Sequence, residues 1–104
     1  MKYTKEKYVV CDPEETVMLS TGTVHRLVPF RLASIKCFDK EKTAIGAMNL
    51  QKSTSEFDLK RCTKMVEMYG EGYWTQRNLS EAKKQVELSK NLIVKTIRIT
   101  WEMI

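Results

Sequence analysis

The chain has 104 residues, of which 42% are hydrophobic and 30% charged, with only four glycines and two prolines. This composition is typical of a single folded domain over residues 1–104 and excludes a disordered, collagen-like or repeat-rich chain. The formal net charge of +5 is compatible with an acidic protein partner or a nucleic-acid backbone.

Hydropathy and cysteine usage indicate the cellular compartment of the protein. No apolar run approaches the roughly 18 residues of a membrane span, and residues 1–8 lack the apolar core of a signal peptide. The cysteines, Cys11, Cys37 and Cys62, are odd in number and widely spaced among apolar neighbours. That pattern is typical of reduced core residues rather than of disulfides. We therefore expect a cytoplasmic protein that does not enter a membrane.

The first third of the chain favours β structure. Residues 7–11 and 16–20 are short β-rich runs separated by a turn that contains Pro13, and this spacing predicts a hairpin. Residues 24–30 fit either a further strand or an ordered loop, and Pro29 argues against a central strand there. Residues 32–38 are interpreted as another strand, after which the Asp39 carboxylate is well suited to cap a helix.

Three helices are predicted in the middle of the chain. The first covers about residues 40–52. Residues 53–56, Ser-Thr-Ser-Glu, have the form of a capping box and predict a new helix that ends at Gly70. Its buried face would carry Leu59, Cys62, Met65, Val66 and Tyr69. Asn78 or Ser80 would cap the third helix, with Leu79, Ala82 and Val86 as its apolar stripe and Lys83, Lys84, Glu87 and Lys90 facing outward.

Residues 92–104 carry the clearest strand pattern. Alternation places five apolar residues on one face, and burying them requires the strand to return to the N-terminal strands. These residues are Ile93, Ile97, Ile99, Trp101 and Met103. Lys95 interrupts that face, which a position near a sheet edge tolerates because a long side chain reaches water there.

The predicted fold is therefore α+β. A small, mostly antiparallel sheet is made of the N-terminal strands plus the C-terminal strand, and about three helices pack on one face. Parallel pairing of the last strand is the alternative. If that strand lies at a sheet edge, its backbone groups are able to pair with a partner strand or a second copy, so a homo-oligomer is compatible with the sequence.

Residues suited to catalysis are scarce. His25 is the only histidine, and the sequence contains no Cys-x-x-Cys motif, no His pair and no phosphate-binding loop. A cysteine–histidine dyad would need a contact that only the fold can supply. We therefore expect no enzymatic activity, no cofactor and no metal.

A stretch of aromatic residues and glycines around Gly70 and Gly72 is the leading candidate for a binding site. Aromatic rings and arginine dominate interface hot spots, and the same groups are able to stack on bases. The predicted partner-binding residues are Tyr69, Tyr73, Trp74 and Arg77. The alternative is structural: Gly70 caps a helix while Tyr69 and Trp74 close the core.

The segment 26–42 is the second candidate, because it is rich in basic residues. Its contacts to nucleic acid or to an acidic partner would come from Arg26, Arg31, Lys36, Lys40 and Lys42. The competing interpretation is an ordinary solvated surface.

Parts of the chain resemble small phage-encoded accessory proteins. The similarity lies in Lys7-Tyr8-Val9-Val10 with the following turn and strand, in Leu32-Ala33, Phe38-Asp39 and Ala44, and in residues 78–84 followed by the strand 96–100. Such proteins are often non-enzymatic and bind, inhibit or redirect a host protein, including a host defence protein. The resemblance implies a similar role here, and it assigns no functional residue.

Overall fold

The computed structural model describes residues 2–21, 26–70 and 72–103, with the backbone alone for residues 73–75. Its strands are β1 (Lys2–Cys11), β2 (Val17–Leu19), β3 (Leu27–Pro29), β4 (Cys37–Phe38) and β5 (Ile93–Glu102). A 3-10 turn (Leu32–Ser34) precedes β4, and the helices are α1 (Glu41–Tyr69) and α2 (Tyr73–Lys90). The fold is α+β with a small antiparallel sheet, as predicted.

Strand β1 is the centre of the sheet. It pairs with β5 along its whole length, from Lys2 opposite Glu102 to Cys11 opposite Ile93. On its other side it pairs first with β4 and then, at Cys11, with β2, and β3 adds to β2. Each of these pairings is antiparallel, so the parallel alternative for the last strand is wrong. Pro29 lies in β3, at the end of the strand order, where a missing N–H is tolerated.

Both faces of the inner half of β1 are buried. Val10 belongs to a cluster that includes residues of both helices, and Val9 belongs to a second cluster without helical residues. The first cluster contains Val10, Leu19, Leu27, Phe38, Ala44 and Leu92, with Met48 and Leu88 packed against it. The second contains Val9, Cys11, Met18 and Ile35, with Val28, Phe30 and Ile97 against it. The helices thus cover one face of the sheet, and Phe30 and Ile35, from the segment after β3, pack against the other.

The prediction of separate helices over 40–52 and 53–69 is wrong, because α1 runs through both. No proline or glycine lies between Gly46 and Gly70 to break it. The supposed capping serines are interior helical residues. Ser55 donates to the carbonyl of Gln51 at 2.9 Å, and its oxygen lies 2.9 Å from the Ser89 hydroxyl of α2. The Ser55 hydroxyl is therefore bonded within α1 and to α2, and it does not cap the start of a helix as the sequence suggested.

The predicted third helix exists as α2, but it begins at Tyr73, directly after Gly72, rather than at Asn78 or Ser80. Two helices therefore replace the predicted three. Residues 32–38 were also predicted as one strand, whereas they form the 3-10 turn and the short β4. The turn lets this segment fold back over β1 and bury Ile35.

Asp39 does not cap α1, contrary to the prediction. The helix begins after Lys40 without a side-chain cap. Because Phe38, the last residue of β4, pairs with Tyr8, Asp39 comes beside Lys7. The Asp39 carboxylate accepts a hydrogen bond from Lys7 and lies 3.5 Å from the ammonium of Lys5. The bond to Lys7 lowers the pKa of Asp39, and the same bond raises the pKa of Lys7.

The molecule is elongated, with principal extents of 62 × 24 × 20 Å and a radius of gyration of 16.9 Å. A compact domain of this length would have a radius of about 13 Å. Two parts account for the difference: the ends of β1 and β5, which pair with each other, and the α1–α2 hairpin, since α1 alone is about 43 Å long. None of the helices described here is long and apolar enough to span a membrane.

The turn between β1 and β2 is organised by one buried carboxylate. Asp12 accepts hydrogen bonds from the backbone N–H of Thr16 at 2.6 Å and of Val17 at 2.9 Å, and from the Thr16 hydroxyl. Burial raises the pKa of Asp12, but these hydrogen bonds to the ionised form outweigh burial, so its pKa lies below the ordinary value.

We predict that Asp12→Asn lowers the free energy of unfolding at pH 7 by about 1–2 kcal/mol, through weaker hydrogen bonding. A lowered folded-state pKa contributes stability above the ordinary carboxyl pKa and loses it as pH falls through the folded-state value. The deficit of the variant should therefore shrink on acidification. Urea unfolding of both proteins at pH 7 and at steps below pH 5 measures it. Glu14→Gln, an exposed change in the same turn, is the control, and a deficit independent of pH would contradict the assignment.

Candidate protein-binding surface

The predicted aromatic–glycine site lies at the far end of the helical hairpin. Tyr69 is the last residue of α1 and is 72% exposed, so the alternative in which it closes the core is wrong. Gly70 does cap the helix, as predicted, and its N–H donates to the carbonyl of Val66 at 2.8 Å. Arg77 is exposed on α2. The side chains of Tyr73 and Trp74 lie outside the described residues.

A row of apolar side chains on α1, which the sequence analysis missed, is more prominent. Leu50, Phe57 and Met68 are 56%, 67% and 71% exposed. At 3.6 residues per turn, spacings of seven and eleven residues keep the three within about 20° of one line along the helix. We call these three residues the outer stripe. It lies opposite the buried residues Ser55 and Cys62, and it is about 27 Å long.

Basic residues border the outer stripe around Phe57. A shallow surface hollow there is lined by Phe57, Leu59, Lys60, Arg61, Thr63, Lys64 and Glu67. Arg61 is 3.5 Å from Asp58, and both side chains remain well exposed. The combination of an exposed ring, aliphatic lysine stems and an excess of positive charge suits a partner surface that is apolar in the middle and acidic at its rim.

A second concavity, of about 430 Å³, lies between the helices and the start of β3. Arg26 and Arg61 border it, and each lies near an acid: Arg26 is 3.9 Å from Glu81, and Arg61 is 3.5 Å from Asp58. Deeper in the molecule, the Gln85 amide accepts from the N–H of Leu27 at 2.9 Å. Its charged groups are thus paired with opposite charges, and its floor joins α2 to the sheet.

The basic residues of segment 26–42 fall into separate groups. Arg26 faces α2 through Glu81, and Arg31 precedes the 3-10 turn. Lys36 lies over the Phe38 ring with its ammonium 5.4 Å from the centroid. Lys40 and Lys42 are exposed at the start of α1. The fold adds Lys5 and Lys7 beside Asp39, a neighbourhood that sequence proximity did not reveal.

No group of three or more His, Cys, Asp or Glu side chains among the described residues is placed to hold a metal ion. Cys11 and Cys62 are buried, as expected, and burial raises the pKa of the Cys11 thiol. Cys37 is exposed, so the expectation of a core position is wrong for it. His25 lies outside the described residues.

Comparison with known proteins returned no relative: no family model, curated protein or solved structure matches this chain. The functional proposal therefore rests on the residues of the outer stripe and of the end of the helical hairpin.

Gly46 inside α1 and Gly70, which caps its C-terminal end, provide a matched test of how the helix end is built. Gly70 has φ 80° and ψ 178°, and an added Cβ at either Gly46 or Gly70 meets no atom within 4 Å. Gly46→Ala should raise the free energy of unfolding by about 0.5–1 kcal/mol, because glycine is a poor helix former. Gly70→Ala should lower it by about 1–3 kcal/mol through backbone strain alone. Urea unfolding measures both, and a neutral Gly70→Ala would show that this cap conformation does not constrain the turn.

Proposed function

We propose that this chain is a small non-catalytic binding protein that acts through a protein–protein interface on α1 and the end of the helical hairpin. The observation that supports this most strongly is the outer stripe, with three large apolar side chains more than half exposed along one line. Exposing apolar side chains to water is unfavourable, and contiguous exposed apolar surface commonly marks a binding site.

The partner is a protein with an apolar groove rimmed by acidic residues. Leu50, Phe57 and Met68 have the helical spacing of an anchor row that lies in such a groove. Lys60 flanks the row, whereas Arg61 and Lys64 lie close to its line between Phe57 and Met68, so the basic groups meet acidic residues of the partner beside and within the groove. Phe57 supplies the largest contact area at little cost in conformational entropy, so it is the expected hot spot.

The residues at the hairpin end extend this interface. Tyr69 is exposed directly beyond the last turn of the outer stripe. The chain then reverses through Gly70 and Gly72 into α2, whose first turns contain Tyr73, Trp74 and Arg77. Two aromatic residues and an arginine following a helix end provide the residue types that dominate hot spots.

The more specific form of the proposal is an inhibitor of a host protein, such as a defence protein, encoded by a phage or a mobile element. The sequence resemblance to small phage accessory proteins supports it. A small domain that exposes an apolar helix face and has no assembled catalytic group among its described residues suits a role in blocking another protein's surface.

A charge introduced into the outer stripe should abolish partner binding. We expect Phe57→Glu or Met68→Glu to weaken the dissociation constant by at least tenfold, about 1.4 kcal/mol, since a desolvated apolar anchor becomes a buried charge. Affinity capture from host lysate with mass spectrometry identifies the partner, and calorimetry with the purified partner measures the constant. Leu32→Glu is the control, because Leu32 is 70% exposed on the 3-10 turn, away from α1.

Capture that survives both stripe variants would reject this interface. The alternative function, a nucleic-acid-binding regulator using segment 26–42, makes the opposite prediction. Binding to DNA or RNA would weaken steeply with salt, would be lost in Lys40→Glu/Lys42→Glu, and would be indifferent to Phe57→Glu. Gel-shift titrations at low and physiological salt distinguish the two.

A further inference from the structure

The outer ends of β1 and β5 form a two-stranded ribbon with two unlike faces. On one face Thr4 lies 3.4 Å from Thr100, oxygen to oxygen, and Arg98 lies 3.4 Å from Glu6. On the other face the rings of Tyr3 and Trp101 stack, with centroids 5.5 Å apart. Tyr3, Ile99 and Trp101 are 37%, 39% and 45% exposed. The ribbon thus carries a partly exposed face on which Tyr3, Ile99 and Trp101 are apolar and Lys5, opposite Ile99, is the charged member.

The outer edge of β5 is open. Among the described strands β5 pairs with β1 alone, and residues 98–102 are all exposed. A two-stranded ribbon is marginally stable by itself, and a long unpaired edge is a template for another strand. The outer edge of β1 is less suited to this, since Lys2 and Lys5 lie in the stretch that β2 and β4 leave unpaired.

The charges of β5 select one register for pairing with a second copy. Directly opposed residues in antiparallel strands share a face, so a continuous apolar face needs odd-numbered residues opposite odd-numbered ones. A two-fold axis at Thr100 meets this condition and sets Arg98 opposite Glu102 of the second copy, twice. Axes at Lys95 or Arg98 oppose like charges. Axes at the other strand residues from 96 to 101, which are Thr96, Ile97, Ile99 and Trp101, form no ion pair between the copies.

The same axis joins the apolar faces. Ile99 comes opposite Trp101 of the second copy, so two Tyr3–Trp101 stacks and two Ile99 side chains form one surface. The overlap involves the ribbon ends, which pair residues 98–102 with residues 2–6. Residues 98–102 lie outside both buried clusters of each copy, so the paired residues belong to the ribbon alone.

We infer that this protein forms a two-fold symmetric homodimer in which the β5 edges pair antiparallel about Thr100, giving a continuous four-stranded ribbon sheet. The dimer surface is separate from the outer stripe and does not depend on the proposed function.

Sedimentation or light scattering should give twice the chain mass of 12.1 kDa. In a Cys37→Ser background, which removes the exposed native thiol, Thr100→Cys should form a disulfide-linked dimer on mild oxidation. Thr96→Cys is the matched control on the same face of β5, and it should not cross-link because the two copies of residue 96 would be about 26 Å apart. A monomeric wild-type protein, no cross-link at residue 100, or one at residue 96 would overturn the inference.

Charge exchange tests the register further. Arg98→Glu alone and Glu102→Arg alone should each weaken dimerisation at least tenfold, and an equimolar mixture of the two variants should recover it as a heterodimer. Glu6→Gln removes the partner of Arg98 within the chain while keeping the pair between copies, so it should leave dimerisation unchanged. Failure of the mixture to recover would overturn the register. Phe57→Glu should remain dimeric, so loss of partner binding and loss of dimerisation are separate results.

Discussion

The pairing of β1 with its neighbours is the interaction on which the rest of the structure depends. One strand accepts β5 along one edge and β4 and β2 along the other. Val9, Val10 and Cys11 are almost fully buried, Val10 in the cluster on one face of the sheet and the other two in the cluster on the opposite face. Because hydrophobic burial is concentrated there, at about 1.5–3 kcal/mol for each large side chain, the inner half of β1 is anchored from both faces. Its outer half has β5 alone, so the same strand holds the core and supports the projecting ribbon.

A seam of small and polar residues plays the corresponding role for the helices. The Ser55 hydroxyl donates to the carbonyl of Gln51 and accepts from the Ser89 hydroxyl at 2.9 Å. The Gln85 side chain then bonds the backbone of Leu27 in β3. These contacts connect α1, α2 and the sheet through buried groups that are each hydrogen-bonded, which fixes one alignment of the helices. The outer stripe lies on the other side of α1 from this seam.

Local patterns were sufficient for the fold class, for β5 and for the inner half of β1, but residues 2–6 of β1 were not predicted as a strand. Alternation over residues 92–104 located β5, and the turn around Pro13 located the first hairpin. The two capping errors share one cause. Residues 53–56 and Asp39 carry local capping signals, but the contacts of Ser55 with Ser89 and of Asp39 with Lys7 join residues far apart in sequence. The outer stripe was missed because dividing α1 in two concealed the spacing that relates Leu50, Phe57 and Met68. Tyr69 is exposed at the end of α1, where the following glycine caps the helix, and its part in binding stays a prediction.

The two proposed surfaces would act together. The outer stripe lies on α1, while the β5 edge lies on the ribbon, so one contact does not occupy the other. A dimer built on the ribbon would carry two outer stripes, one on each copy. If the partner is itself an oligomer, the second stripe binds within a complex that the first stripe has already formed. The effective concentration of the second site is then high, which raises the overall affinity without new contacts at either stripe. Each chain of 104 residues offers only a modest interface. Pairing through β5 would therefore raise the affinity for such a partner without enlarging the interface on either copy.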